Sequence, residues 1–200
     1  MATARKSPFN IPTLLTLARI ALIPFFVVIF YFHSWWSNVI AAAIFLLAGL
    51  TDYLDGYLAR RLNQSTRFGA FLDPVADKLM VAAALVLLVE YHATAWLAIP
   101  ATVIISREIA VSALREWMAE IGARAAVAVS TIGKVKTVMQ ITAITLLLAV
   151  EPTFTEPGRK LVFTQFFVFN YVLLYIATGL TLWSMLVYLR AAWPHLRDDR

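Results

Sequence analysis

Asp52 and Asp55 lie three residues apart, and Asp73 and Asp77 lie four apart. On helices, each pair presents two carboxylates on one face about one turn apart. Gly69 stands four residues before Asp73 and extends that second row if its helix starts near Ser65 rather than at Asp73. Two such helices, joined by the polar link from Arg61 to Thr66, could present four carboxylates to one space. Carboxylates that close raise one another's pKa and do not all ionise unless a positive charge sits among them. A divalent cation supplies that charge. The donors are all oxygen, which favours Mg2+ or Mn2+ over zinc with its usual His or Cys ligands. The structural use of the same residues is helix capping and ion pairing to Arg60, Arg61, Arg67 and Lys78. Their setting weighs against it: an ionisable group close to hydrocarbon costs about 3 kcal/mol, and four aspartates fall within 26 residues.

The elements that must position these groups are apolar. Hydrophobic residues make up 61% of the 200-residue chain and charged residues 14%, with a mean hydropathy of +0.76. Soluble domains run at about 45–50% apolar and 25% charged. The expected class is all-α: one polytopic membrane bundle over residues 1–200, with six transmembrane helices at about 20 residues each. No repeat or Gly/Ser/Pro-rich linker divides the chain. The expected spans are Ile11 to Phe32, Trp35 to Leu54, Pro74 to Tyr91, Trp96 to Met118, Val127 to Val150 and Leu161 to Leu189. The first is too long for a signal peptide and no small-residue cleavage pattern follows it. Pro74 either starts the third helix behind an Asp73 cap or kinks one begun earlier. The sixth run is long enough to tilt or to begin along the surface.

Lys and Arg positions check the span count independently. With a cytoplasmic amino terminus, the inner side receives Arg5, Lys6, Arg60, Arg61, Arg67, Arg115, Arg124, Lys134, Lys136, Arg190, Arg197 and Arg200. The outer side receives Arg159 and Lys160 alone, and the loops at Phe32 to Trp36 and Glu90 to Thr94 carry neither residue type. This alternation is what the positive-inside rule requires of six spans with both termini inside, and it places all four aspartates at the cytoplasmic face. The net charge of +5 is distributed by topology and faces anionic lipid headgroups, so nucleic acid is not an expected partner. Cysteine is absent, which excludes thiol catalysis. His33, His92 and His195 are scattered at span ends with no partner at ligand spacing.

Asp52, Asp55, Gly56, Ala59, Arg60, Gly69, Asp73 and Asp77 match the pattern D-x2-D-G-x2-A-R-x8-G-x3-D-x3-D without departure. In this the chain resembles the CDP-alcohol phosphotransferases. The likeness extends to NIPTLLTLARIALIPFF, DPVADKLMVAAALV, REIAVSALREWMAEIG and IGKVKT, and there it is to the bacterial members that use glycerol 3-phosphate. The last forty residues add little beyond being apolar. The resemblance implies a six-helix homodimer in the inner membrane, with a cavity open to the cytoplasm. The implied reaction moves a phosphatidyl group from CDP-diacylglycerol to sn-glycerol 3-phosphate and releases CMP. By the family pattern, Asp52, Asp55, Asp73 and Asp77 hold two divalent cations, Mg2+ or Mn2+. Asp77 doubles as the base, and Gly56, Ala59, Arg60 and Gly69 lie against the cytidine diphosphate. The glycines allow close approach of a nucleotide, or close helix packing through small residues. Arg60 supplies a planar fork for phosphate oxygens.

An acceptor that carries its own phosphate needs a second basic site. Arg107 and Arg115 sit eight apart, within about 80° on a helix of 3.6 residues per turn, and can face one pocket. Lys134 opens the following span, and Lys136 stands about 200° round the helix from it. Each could instead snorkel or pair, with Glu108 within reach of both arginines. Serine, inositol phosphate or phosphatidylglycerol as acceptor are the alternatives inside the family, and the basic candidates argue against serine. From another class, a cation transporter would place its carboxylates near the midplane between broken helices, not at the margin beside basic residues.

Overall fold

The computed structural model describes residues 11–32, 34–62, 67–123, 131–150 and 160–197. Six helices and no strand occur among the described residues: α1 (Ile11–Phe30), α2 (Trp35–Leu62), α3 (Arg67–His92), α4 (Ala95–Glu120), α5 (Thr131–Leu148) and α6 (Lys160–Arg197). Segments Thr13–Phe30, Ala95–Glu120 and Phe166–His195 are long and apolar enough to cross a membrane. Trp36–Asp52 and Val135–Leu148 are shorter apolar stretches.

The exposed surface is unlike that of a water-soluble fold. Every helix exposes large apolar side chains, among them Phe25, Leu47, Phe71, Trp96, Val138 and Trp193, each more than half exposed. Thr16, Arg19, Asn38, Arg107, Lys136, Gln140, Asn170 and Ser184 are buried beside an otherwise apolar core. Apolar surface on this scale is rare on soluble monomers, and an apolar surround is the solvent in which it is favourable.

Three of the helices extend beyond their apolar runs, α6 by about two turns past Leu189 to Arg197. α2 continues about two turns past Leu54 to Leu62, so Asp52, Asp55, Gly56, Ala59 and Arg60 are all helical. α3 begins at Arg67, which puts Pro74 inside the helix rather than at its start. Gly69, Asp73 and Asp77 therefore do form one row along α3, at steps of four residues.

The chain divides into two compact units, 1–84 and 85–200. In the first, α1 packs along α2, and Phe26, Phe30, Ala41, Ala42, Phe45, Ala48, Ala76 and Met80 are buried. The alanines let helix backbones approach closely, the usual basis of packing where no water drives association. In the second, α6 packs against both α4 and α5. Its buried positions, Asn170, Leu174, Ala177, Thr181, Ser184 and Tyr188, recur at steps of four and three and form one seam. Val111 and Met118 of α4 meet Tyr188 and Ala192 of α6.

α4 is stopped by Gly122. This residue takes φ 76°, its amide donates to the Ala119 carbonyl at 3.2 Å, and the next amide, of Ala123, donates to Met118 at 2.8 Å. That pair of bonds is the Schellman arrangement, with glycine at the left-handed position and an apolar contact between Ala123 and the Met118 cluster alongside.

Candidate active site

The aspartate rows belong to the first unit. α1 touches both of them with polar side chains that are almost fully enclosed: Thr16 is 0% and Arg19 2% exposed. Arg19 Nη1 donates to Asp52 Oδ1 of α2 at 2.5 Å, and the Thr16 hydroxyl donates to Asp73 Oδ1 of α3 at 2.6 Å. Residues three apart on a helix are neighbours, with Cβ atoms about 5–6 Å apart. Asp52 and Asp73, on different helices, are thus tied to one turn of α1. Asp77 is half-buried on the same α3 row, with Gly69 buried further along it. Lys78 turns back to the Pro74 carbonyl at 2.7 Å. The side chains of Asp55, Ala59 and Arg60, and the surroundings of Gly56, lie outside the described residues.

Among the described residues no group of three or more His, Cys, Asp or Glu side chains is assembled around a metal position. The donor chemistry nevertheless fits a hard divalent ion. Asp52, Asp73 and Asp77 offer oxygen alone, and a carboxylate held through Oδ1 still has a second ligating oxygen. His92, by contrast, stands edge-on to Tyr91, Phe167 and Tyr171 in an aromatic setting.

The basic candidates belong to the second unit. Arg107 of α4 is 6% exposed and Lys136 of α5 4%. Both converge on one carboxylate oxygen: Arg107 Nη1 lies 3.1 Å and Lys136 Nζ 2.5 Å from Glu108 Oε1. Arg107 also donates through Nη2 to Ser184 Oγ of α6 at 2.7 Å, and its guanidinium stands 5.9 Å from the centre of the Tyr188 ring. Two cations facing one anion leave a surplus positive charge in these three residues. Arg115 is exposed, and the Lys134 side chain lies outside the described residues. The cluster therefore joins Arg107 to Lys136. Ser184 and Tyr188 complete it from a largely apolar stretch that gave no motif in the sequence. Thr16 and Arg19 likewise add to the aspartate rows; an arginine inside an otherwise apolar run is the signal that could have found the second of them.

The model of the family described as CDP-alcohol phosphatidyltransferase matches residues 9–187, a range that includes both aspartate rows and Arg107, Glu108, Lys136 and Ser184. A protein of Pseudomonas fluorescens is 57% identical over 191 residues, covering 95% of this chain and 93% of its own length. Proteins of Salmonella typhimurium strain LT2 and Escherichia coli strain K12 are each 54% identical over 191 residues, covering 96% of this chain and 99% of their own lengths. All three relatives bear the name CDP-diacylglycerol–glycerol-3-phosphate 3-phosphatidyltransferase.

Proposed function

The chain belongs to the CDP-alcohol phosphatidyltransferase family, and from that premise we propose that it transfers a phosphatidyl group from CDP-diacylglycerol to sn-glycerol 3-phosphate, giving phosphatidylglycerophosphate and CMP in phospholipid biosynthesis. The observation that carries this reading is the near full-length identity to relatives of that name, across a segment in which every signature position is filled. In the reaction, the acceptor's hydroxyl oxygen attacks the phosphorus that bears the diacylglycerol. The P–O bond to CMP breaks, CMP leaves with that oxygen, and the hydroxyl proton passes to Asp77.

Asp52, Asp55, Asp73 and Asp77 would hold two divalent cations, Mg2+ or Mn2+, which when bound offset the charge of the diphosphate. Gly56, Ala59, Arg60 and Gly69 receive the cytidine diphosphate, with the Arg60 fork on phosphate oxygens. Arg107 and Lys136, with Arg115 and Lys134, take the acceptor's phosphate. The convergence of Arg107 and Lys136 on Glu108 supports that role, because two buried cations side by side favour the approach of a dianion.

The test is product identification. Purified protein is given CDP-diacylglycerol and Mg2+ with glycerol 3-phosphate, serine, inositol phosphate or phosphatidylglycerol in turn. Phosphatidylglycerophosphate is expected from the first and no lipid product from the others, and none from any in chelator. A product from another acceptor in preference to glycerol 3-phosphate would overturn the assignment.

The proposal extends to a single membrane domain of six spans with both termini and the active site on the cytoplasmic side of the inner membrane, paired as a homodimer. The asymmetry of Lys and Arg between alternate loops supports the orientation. Because the chain has no cysteine, single cysteines report cleanly. Thr94→Cys and Glu120→Cys, at exposed opposite ends of α4, should react with an impermeant thiol reagent from the periplasmic and the cytoplasmic side respectively. Labelling of both from one side would refute the topology.

A further inference from the structure

We propose that Thr16 is a positioning residue for the cation ligand Asp73, borne on a helix that Arg19 secures against Asp52. The inference rests on the assignment of these aspartates as cation ligands. Thr16 and Arg19 are nearly fully enclosed, and both spend a side-chain donor on an aspartate of the signature, 57 and 33 residues away in the chain. An arginine enclosed in an apolar helix is costly unless a counter-charge meets it, so its pairing with Asp52 fixes the rotation and depth of α1. Thr16, one turn earlier, is then held against α3, where its hydroxyl donates to Asp73 Oδ1.

The second torsion of an aspartate is broad and only loosely two-fold. A carboxylate without a fixed partner therefore presents its oxygens over a range of directions. A small divalent ion tolerates little of that range, since Mg2+ demands near-octahedral oxygens at about 2.0–2.1 Å. A bond to Oδ1 from a hydroxyl on a separate, anchored helix sets the carboxylate plane and so the direction of Oδ2. Groups that orient metal ligands in this way are typically worth about 10–100-fold in metal affinity.

Thr16→Val keeps the shape and removes the donor, and Thr16→Ser keeps the donor. Mn2+ binding is measured by electron paramagnetic resonance of unbound Mn2+ with the purified full-length protein in detergent and no substrate. Thr16→Val is expected to weaken Mn2+ binding about 10–100-fold, and Thr16→Ser to restore it close to the parent value. In steady-state assays the Mn2+ activation constant should rise in parallel, while KM for CDP-diacylglycerol at saturating Mn2+ stays unchanged. A purely packing role predicts lower thermal stability with an unaltered Mn2+ constant. Either that result, or Thr16→Ser binding as weakly as Thr16→Val, overturns the inference. Asp73→Asn is the companion measurement. If it too leaves Mn2+ binding untouched, the cation assignment itself falls and the inference with it; if it weakens binding while Thr16→Val does not, the inference alone falls.

Discussion

Asp77→Asn is expected to lower turnover by about 10²–10⁴-fold, the range attributed to a positioned base alone, while CDP-diacylglycerol still binds. Asparagine keeps the shape of the side chain but neither accepts the acceptor's proton nor carries a ligand's charge. Asp77 continues the α3 row of Gly69 and Asp73, four residues on, so the substitution changes one end of that row and leaves the Thr16 bond to Asp73 in place. The measurement is single-turnover release of CMP beside equilibrium binding of the donor. A rate near that of the parent would remove Asp77 from the mechanism, and loss of donor binding equal to the loss of rate would reassign it to holding substrate.

Arg107→Ala is expected to lower kcat/KM for glycerol 3-phosphate about tenfold to a hundredfold with little change in the donor parameters. Loss of a charge-assisted hydrogen bond costs about 1.5–3 kcal/mol, which is that factor. Arg107→Lys should recover little of it. The guanidinium reaches Glu108 through one nitrogen and Ser184 through the other, and an ammonium has no fork to span them. Arg60→Ala should show the opposite pattern, weakening the donor and sparing the acceptor. Steady-state kinetics with each substrate varied in turn resolves the crossing. Equal loss towards both substrates in Arg107→Ala would make the residue structural, an anchor for Glu108 and the α6 seam.

The helices were largely legible because long apolar runs separated by short polar breaks, basic at every other one, are written in composition. Their ends were not. Hydropathy reports where the bilayer's solvent changes, whereas a helix stops where its backbone hydrogen bonds run out or a cap intervenes. α2 accordingly passes Leu54, and α3 begins before Pro74. The signature aspartates were legible through their spacing, while the groups that hold them were not, since Thr16 and Arg19 meet partners on other helices. Lys136 illustrates the limit of reasoning on one helix. Its angle from Lys134 does not tell which face of α5 turns towards Glu108. The closing stretch was opaque for a further reason. When the surround is as apolar as the core, the pattern of apolar residues carries little periodicity, and the seam through Ser184 and Tyr188 is drawn by small and polar residues instead.

During synthesis α1 reaches the membrane before either of the helices it grips. Arg19 then stands near the middle of a lone apolar segment, where an arginine costs about 2.5–3.5 kcal/mol on the insertion scale. Each surrounding Leu, Ile, Phe or Val returns about 0.3–0.6 kcal/mol, so the helix enters with a narrowed margin. Its counter-charge, Asp52, is 33 residues further along the chain and emerges with the far end of α2. The pairing that offsets the charge of the first helix is therefore also one that holds the first aspartate of the signature. A nascent chain cut short before Asp52 lacks that pair.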